Sequence, residues 1–411
     1  MNAATGRMGS RDGAVTQVMR YRSPLRLFFA AFAVSLLVFF LAGTDRASAK
    51  PFFVYFGTYT GGESKGIYVS RFDNATGKLS APALAAESVN PSFIAIAPDH
   101  RSLFTVNETE QFNGQAGGAV SAFTLDSATG KLAFLNQQPS GGTDPCHIIA
   151  DPSGKYVLVA NYTSGSVAVF PVETNGSLGS ATSVIQHHGS SVNRERQAGP
   201  HAHCVAMDAA NHRVFICDLG LDKVMIYHLD ETSGTLAPDE VPWAGLKPGS
   251  GPRHITFSPD GRFAYVLSEM GGTLTAFAYN PEHGALNEFQ TVSLLPKDFH
   301  GKNTSAEVAL LPSGRFIYAS NRGDDSIAVF AVDEASGRLG LVERESSHGQ
   351  TPRCFAIDPT GQYLIAANQN SDNVVVFRIN AQTGKLTWTG QSIEVGKPVS
   401  VAFVPIDAAT P

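Results

Sequence analysis

The chain has 411 residues, a formal net charge of −6 and only 16% charged residues. That balance, with no long basic run, gives no reason to expect nucleic acid as a partner. Four cysteines are too few for a disulfide scaffold at this length, and their spacing is not that of a zinc site. Hydrophobic content of 43% with 40 Gly and 23 Pro instead favours short strands joined by many turns.

Residues 1–49 read as a secretory signal. Arg20, Arg22 and Arg26 precede an apolar run from Leu27 to Gly43, and Ala47-Ser48-Ala49 is a small-x-small cleavage pattern, with cleavage expected after Ala49. The signal proper can start at Met8 or Met19, and there is no twin-arginine pair. The alternative is an uncleaved anchor, because the apolar run is nearly long enough to span a bilayer. Cleavage leaves residues 50–411 as an exported protein, periplasmic or secreted, with no stable membrane insertion, in a compartment where cysteines oxidise.

From residue 50 onward strand-like runs alternate with turns, and no amphipathic helix stands out. Aligned to itself, the chain repeats every ~46 to 57 residues, a propeller-blade period. First strands open near Pro91, Pro145, His201, Pro252, Ser305, Pro352 and Pro398. Second strands open near Phe53, Leu103, Tyr156, Arg213, Phe263, Phe316 and Tyr363. Third strands open near Gly66, Gly118, Gly165, Lys223, Gly272, Ser326 and Asn373. A turn of the type ATGKL, at 75–79 and 128–132, recurs as NGSL, SGTL, HGAL, SGRL and TGKL at 175–178, 233–236, 283–286, 336–339 and 383–386. Each list has seven members. The first unit begins at a second strand and the chain ends on a lone first strand, 398–404. The expected fold is therefore all-β: one seven-bladed propeller of four-stranded antiparallel blades, closed by the C-terminal strand completing the first blade.

In a propeller the first strand of each blade lines the channel, and its start lies beside the end of the second strand. If the turn fixes the register, residues with a constant sum face each other. That arithmetic puts Arg253 beside Glu269, His203 beside Asp218, Glu307 beside Arg322, and Arg353 beside Asn368. It also puts His147 near Asn161 and Ser92 near Asn107. Such charges cost on the order of several kcal/mol each unless paired or wetted. They serve either as ion pairs fixing the blades or, converging on one rim, as a binding or catalytic site.

His201 and His203 form an H-x-H with both side chains expected on one face, but no third metal ligand with suitable spacing follows. The insert 186–199, with His187, His188, Arg194 and Arg196, is the longest in the array and is either a cover for the mouth or a solvated loop. Cys204 and Cys217 face each other in the same register, as a cross-strand disulfide or as two buried thiols. Cys146 and Cys354 occupy matching positions of other blades.

The segments FFVYFGTYTGGESKGIYV, GPHAHCV, GPRHITFSPDGRFAYVLSEM, the Glu307–Arg322 stretch and TPRCFAIDPTGQYLIAANQNSDNVVVF resemble the seven-bladed propeller lactonase family. That family includes 6-phosphogluconolactonases and the fungal carboxy-cis,cis-muconate cyclases. The resemblance covers nearly all of the chain after the signal. It implies a lactone hydrolase whose catalytic residues fall on His203, Arg253, Glu269 and Arg322, with His201, His254, Glu307 and Arg353 expected to bind substrate. It implies neither a metal nor an organic cofactor.

Opening a lactone needs an activated water, support for the carbonyl oxyanion and a proton for the leaving alkoxide. Glu269 or His203 is the expected base, and Arg253 and Arg322 are expected to hold anionic groups and the oxyanion. The expected partner is a small anionic lactone, and the expected state a monomer. The same groups can run the reverse closure of a carboxylate onto an alkene. The competing classes are a non-catalytic exported propeller that binds a protein or small ligand, and a redox or metal-linked propeller. Export itself departs from the family phosphogluconolactonases, whose phosphorylated sugar substrate is cytosolic.

Overall fold

The computed structural model describes residues 51–406, and the expected signal at 1–49 lies outside them. Every regular element among the described residues is a β-strand. The strands form seven antiparallel blades plus a two-stranded hairpin, Gln111–Phe112 with Gln115–Ala116. Blade 5 is representative: Pro252–Phe257 innermost, then Phe263–Ser268, Thr273–Asn280 and Ala285–Ser293 outermost. Second strands are apolar runs rather than alternating ones because both faces are covered by neighbouring blades. Tyr156–Asn161 and Tyr363–Asn368 are buried at every position. Outer strands meet solvent, as in the mostly exposed Leu386–Glu394.

The ring closes as the sequence suggested. Pro398–Pro405 pairs antiparallel with Pro51–Thr58, Phe52 opposite Pro405 and Phe56 opposite Val401. Apolar clusters fill all seven blade interfaces. The one joining the last blade to the first packs Phe52, Val54, Phe56 and Phe72 against Tyr363, Ile365, Val374 and Val376.

The repeated turn has a packing reason. Its glycines, Gly77, Gly130, Gly176, Gly234, Gly284, Gly337 and Gly384, all have φ between 64° and 84°. Each lies against the residue that opens the second strand of the preceding blade, such as Phe53 on Gly130 and, around the closure, Tyr363 on Gly77. A Cβ at these seven glycines would come within 2.3 to 2.8 Å of that residue. Only glycine satisfies both the left-handed backbone and the close approach.

The inner strands differ from the constant-sum register at one point. In blades 3, 4, 5 and 7 a β-bulge follows the first paired residue: Ala202 pairs with Asp218 but Cys204 with Cys217, and Pro252 with Ser268 but His254 with Leu267. Blades 3 and 7 repeat this around Cys146 and Arg353. In blade 6 the shift spans Ala306 and Glu307. Asp218 thus faces Ala202 rather than His203, Asn368 faces Pro352 rather than Arg353, Asn161 faces Pro145, and Arg322 faces Thr304 rather than Glu307. Blade 2 departs further, because its inner strand starts only at Ile94 and leaves Ser92 before it. A bulge leaves one residue unpaired and re-aims its side chain. Here it frees Cys146, His203, Arg253 and Arg353 from the ladder at the channel mouth.

Candidate active site

Two recurring blade positions build the site: the bulged residue of the inner strand and the residue at or just past the paired end of the second strand. The first supplies Cys146, His203 and Arg353; the second supplies Tyr59, Glu108, Tyr162 and Glu269, just past their strands, and Arg322, the last paired residue of its own. With Arg196 from the insert, these nine line one cavity of ≈ 270 Å³ to which all seven blades contribute. Larger clefts of ≈ 430 and ≈ 620 Å³ lie elsewhere. The charged groups of the larger one, Asp99, Arg101, Lys155 and Glu173, are all solvent-exposed. The smaller cavity is the candidate site because its charges are buried or half-buried and converge on one space.

Glu269 is its electrostatic centre. Its Oε1 accepts from Arg196 Nη2 at 2.7 Å, while Oε2 lies 2.8 Å from Arg322 Nη2 and 3.2 Å from Arg253 Nε. The Arg253 contact is an ion pair without hydrogen-bond alignment, since that Nε has no hydrogen-bond partner. Burial opposes ionisation of Glu269, but Arg322, Arg253 and Arg196 outweigh it and bring the carboxyl down to about 2. Burial, with Arg253 and Arg353 nearby, in turn pushes the Arg322 guanidinium down to about 9 against the pull of Glu269, leaving it cationic at neutral pH.

Beneath this cluster runs a column of rings. His203 lies 5.5 Å from His254, His254 lies 5.1 Å from His147, and His147 packs 4.1 Å from Phe93. His254 Nε2 stands 3.1 Å from Arg253 Nη1 and its Nδ1 2.8 Å from Glu307 Oε1. Arg253 can only donate, so His254 accepts at Nε2 and donates from Nδ1 to Glu307 as a neutral imidazole. Burial followed by the charge of Arg253 holds His203 well below the usual imidazole value, so it too is neutral, and its buried Nδ1 has no partner.

On the other side of the cavity Glu108 accepts from Tyr59 Oη at 2.8 Å and from Ser92 Oγ at 2.5 Å. The Arg353 guanidinium sits 5.4 Å over the Tyr59 ring. Among the described residues it has no hydrogen bond and no ion pair.

A family model described as "Lactonase, 7-bladed beta-propeller" matches residues 53–403, almost the whole propeller. This chain belongs to that lactonase family. Among its relatives is the 6-phosphogluconolactonase of Bacillus subtilis (strain 168), 41% identical over 304 residues covering 74% of this chain and 84% of the relative. A second 6-phosphogluconolactonase, from Formosa agariphila, is 33% identical over 297 residues, 71% of this chain and 82% of that one. Among solved structures, the periplasmic gluconolactonase of Pseudomonas aeruginosa is 40% identical, with a TM-score of 0.82 over 87% of this chain and 99% of that one.

The expected residues of this lactonase-family propeller fall into two groups. His203, Glu269, Arg322 and Arg353 line the cavity, with Arg253 ion-paired behind Glu269. His254 and Glu307 form the pair beneath. His201 is stacked on Tyr162 at 4.6 Å, and none of these three lines the cavity. The bulge explains this: it turns His203 and Arg253 toward the mouth and leaves His254 inside the channel. Asp218 serves structure instead, bonding His187 Nδ1 at 2.6 Å and the His201 amide at 2.8 Å. The four cysteines are free: Cys204 and Cys217 pair across strands as expected, and of the two readings they are buried thiols.

Tyr59, Glu108 and Tyr162 were missed, although each sits one residue past a legible second-strand end. The insert does cover the mouth through Arg196, which bonds Tyr162 Oη and Glu269, while Arg194 is exposed. It is held by buried Gln197, which donates to the Leu219 carbonyl and accepts from the Asn193 amide.

Proposed function

We propose that this family member hydrolyses a sugar lactone bearing an anionic group, in the cavity at the propeller mouth. The observation that carries the reading is Arg353, a guanidinium facing the cavity with no hydrogen bond or ion pair among the described residues, while Arg196, Arg253 and Arg322 are held by Glu269. The lining holds three guanidiniums against two carboxylates, so an anionic ligand brings the charge toward balance. The relatives named 6-phosphogluconolactonase and gluconolactonase support a sugar lactone as the substrate class.

In this reading Glu269 holds Arg322 and Arg253 in place, and Arg322 presents its guanidinium to the carbonyl oxygen where negative charge develops. Such preorganised donors are commonly the largest single contribution to an acyl-transfer rate. Arg353 receives the phosphate or carboxylate, and neutral His203 hydrogen-bonds the sugar or the attacking water. Neither expected base is well suited to proton transfer. Three guanidiniums stabilise the Glu269 anion, and burial, with the cations around it, destabilises the protonated form of His203. The test is hydrolysis of a panel of five- and six-membered sugar lactones, phosphorylated and not. Turnover of at least one well above the spontaneous rate is expected, and none across the panel contradicts the reading.

Residues 1–49 are proposed to export the chain and to be removed after Ala49. Cell fractionation with N-terminal sequencing tests this, and a full-length cytoplasmic protein contradicts it.

A further inference from the structure

Resting on the lactonase reading, we propose that Glu108, not Glu269, moves the proton in ring opening. The two carboxylates share one cavity but differ in what surrounds them. Glu269 spends both oxygens on three guanidiniums. Glu108 accepts from two neutral hydroxyls, Tyr59 and Ser92, and has no ion pair among the described residues. A carboxylate whose oxygens are taken up by three guanidiniums has none left to receive a proton from water, whereas one held by two neutral hydroxyls is fixed in direction with lone pairs still open to the cavity. Burial keeps the Tyr59 hydroxyl protonated well above its ordinary range, so it stays a donor to Glu108. The base therefore faces the cavity beside Arg353, across from the groups that hold the oxyanion.

The chemistry balances within the pair of reactants. Glu108 takes a proton from water as the water oxygen bonds to the lactone carbonyl carbon, whose π electrons move onto the oxygen. The carbonyl re-forms as the bond from carbon to the ring oxygen breaks, and the ring oxygen takes the proton from Glu108. The product is a hydroxy acid, and Glu108 returns as carboxylate.

The experiment compares wild type, Glu108→Gln and Glu108→Ala on a lactone the wild type turns over, with melting curves to confirm folding. Glu108→Gln is expected to lose ~10²–10⁴ in kcat with KM changed less than about threefold. Added formate, a small carboxylate that can occupy the vacated space, is expected to restore part of the Glu108→Ala rate, which a structural role would not give. Retention of more than about a tenth of wild-type kcat by Glu108→Gln overturns the assignment, as does a loss in folded Glu108→Ala that formate leaves untouched. If Glu108→Ala does not fold, kcat of Glu108→Gln decides. Wild-type protein that opens no lactone overturns the lactonase reading itself, and this assignment with it.

Discussion

Three guanidiniums share the Glu269 carboxylate, whose side chain is only 7% exposed, so this residue ties catalysis to stability. Its folded pKa of about 2 lies below the ordinary 4.5. The linked stabilisation is complete above the ordinary value and drains as pH falls toward the folded one, about 3 kcal/mol in all. His203 adds an earlier loss. Its folded pKa lies below 6.5, so acid favours the unfolded chain from that point downward. Glu269→Gln leaves the arginines without a shared counter-charge and is expected to cost about 3–5 kcal/mol. Urea titrations between pH 7 and pH 3 should show that cost and a flatter acid limb in the variant. A variant as stable as wild type at pH 7 would contradict the shared-counter-ion account.

At the scale of elements, the bulges and the insert aim the site. Strand positions were legible because turn chemistry and apolar runs are local, and Arg253 and Glu269 were legible as neighbours. The bulges were not, because nothing in Pro252-Arg253-His254 marks one pairing step as skipped. The constant-sum register consequently assigned Asp218 to His203 and Arg322 to Glu307, where the fold gives Ala202 and Thr304. Glu108 and Tyr59 escaped notice for another reason: they follow strand ends recognised by their last paired residue, and their hydrogen bond joins two blades, 49 residues apart. The insert rejoins blade 4 under Gly220, where a Cβ would come 1.9 Å from the Gly199 carbonyl oxygen. Gly220→Ala is expected to displace the insert and reproduce the loss of Arg196→Ala, roughly 10–100-fold in kcat/KM. Steady-state kinetics check this, and a Gly220→Ala enzyme of wild-type kcat/KM would show that the insert's position does not matter.

At the largest scale the described residues, 51–406, form a ring, and its cavity exists only while the ring is closed. The terminal strand Pro398–Pro405 caps the edge of Pro51–Thr58 and seals the interfaces of blade 1 with both neighbours. Removing residues 398–411 should expose that edge and part the groups that face each other across the mouth. The expected result is aggregation on size-exclusion chromatography and loss of the cooperative melt. A truncated chain that melts like the wild type would contradict closure as the source of integrity. The central claim, that a charged well at the mouth of this ring selects and opens an anionic lactone, is tested most directly by one comparison. It is kcat/KM on a matched pair of sugar lactones, phosphorylated and unphosphorylated, for wild type and Arg353→Gln. Wild type should favour the phosphorylated lactone by at least about tenfold, ~1.4 kcal/mol, and Arg353→Gln should lose most of that preference while keeping its rate on the neutral one. Equal preference in the two proteins would contradict the account.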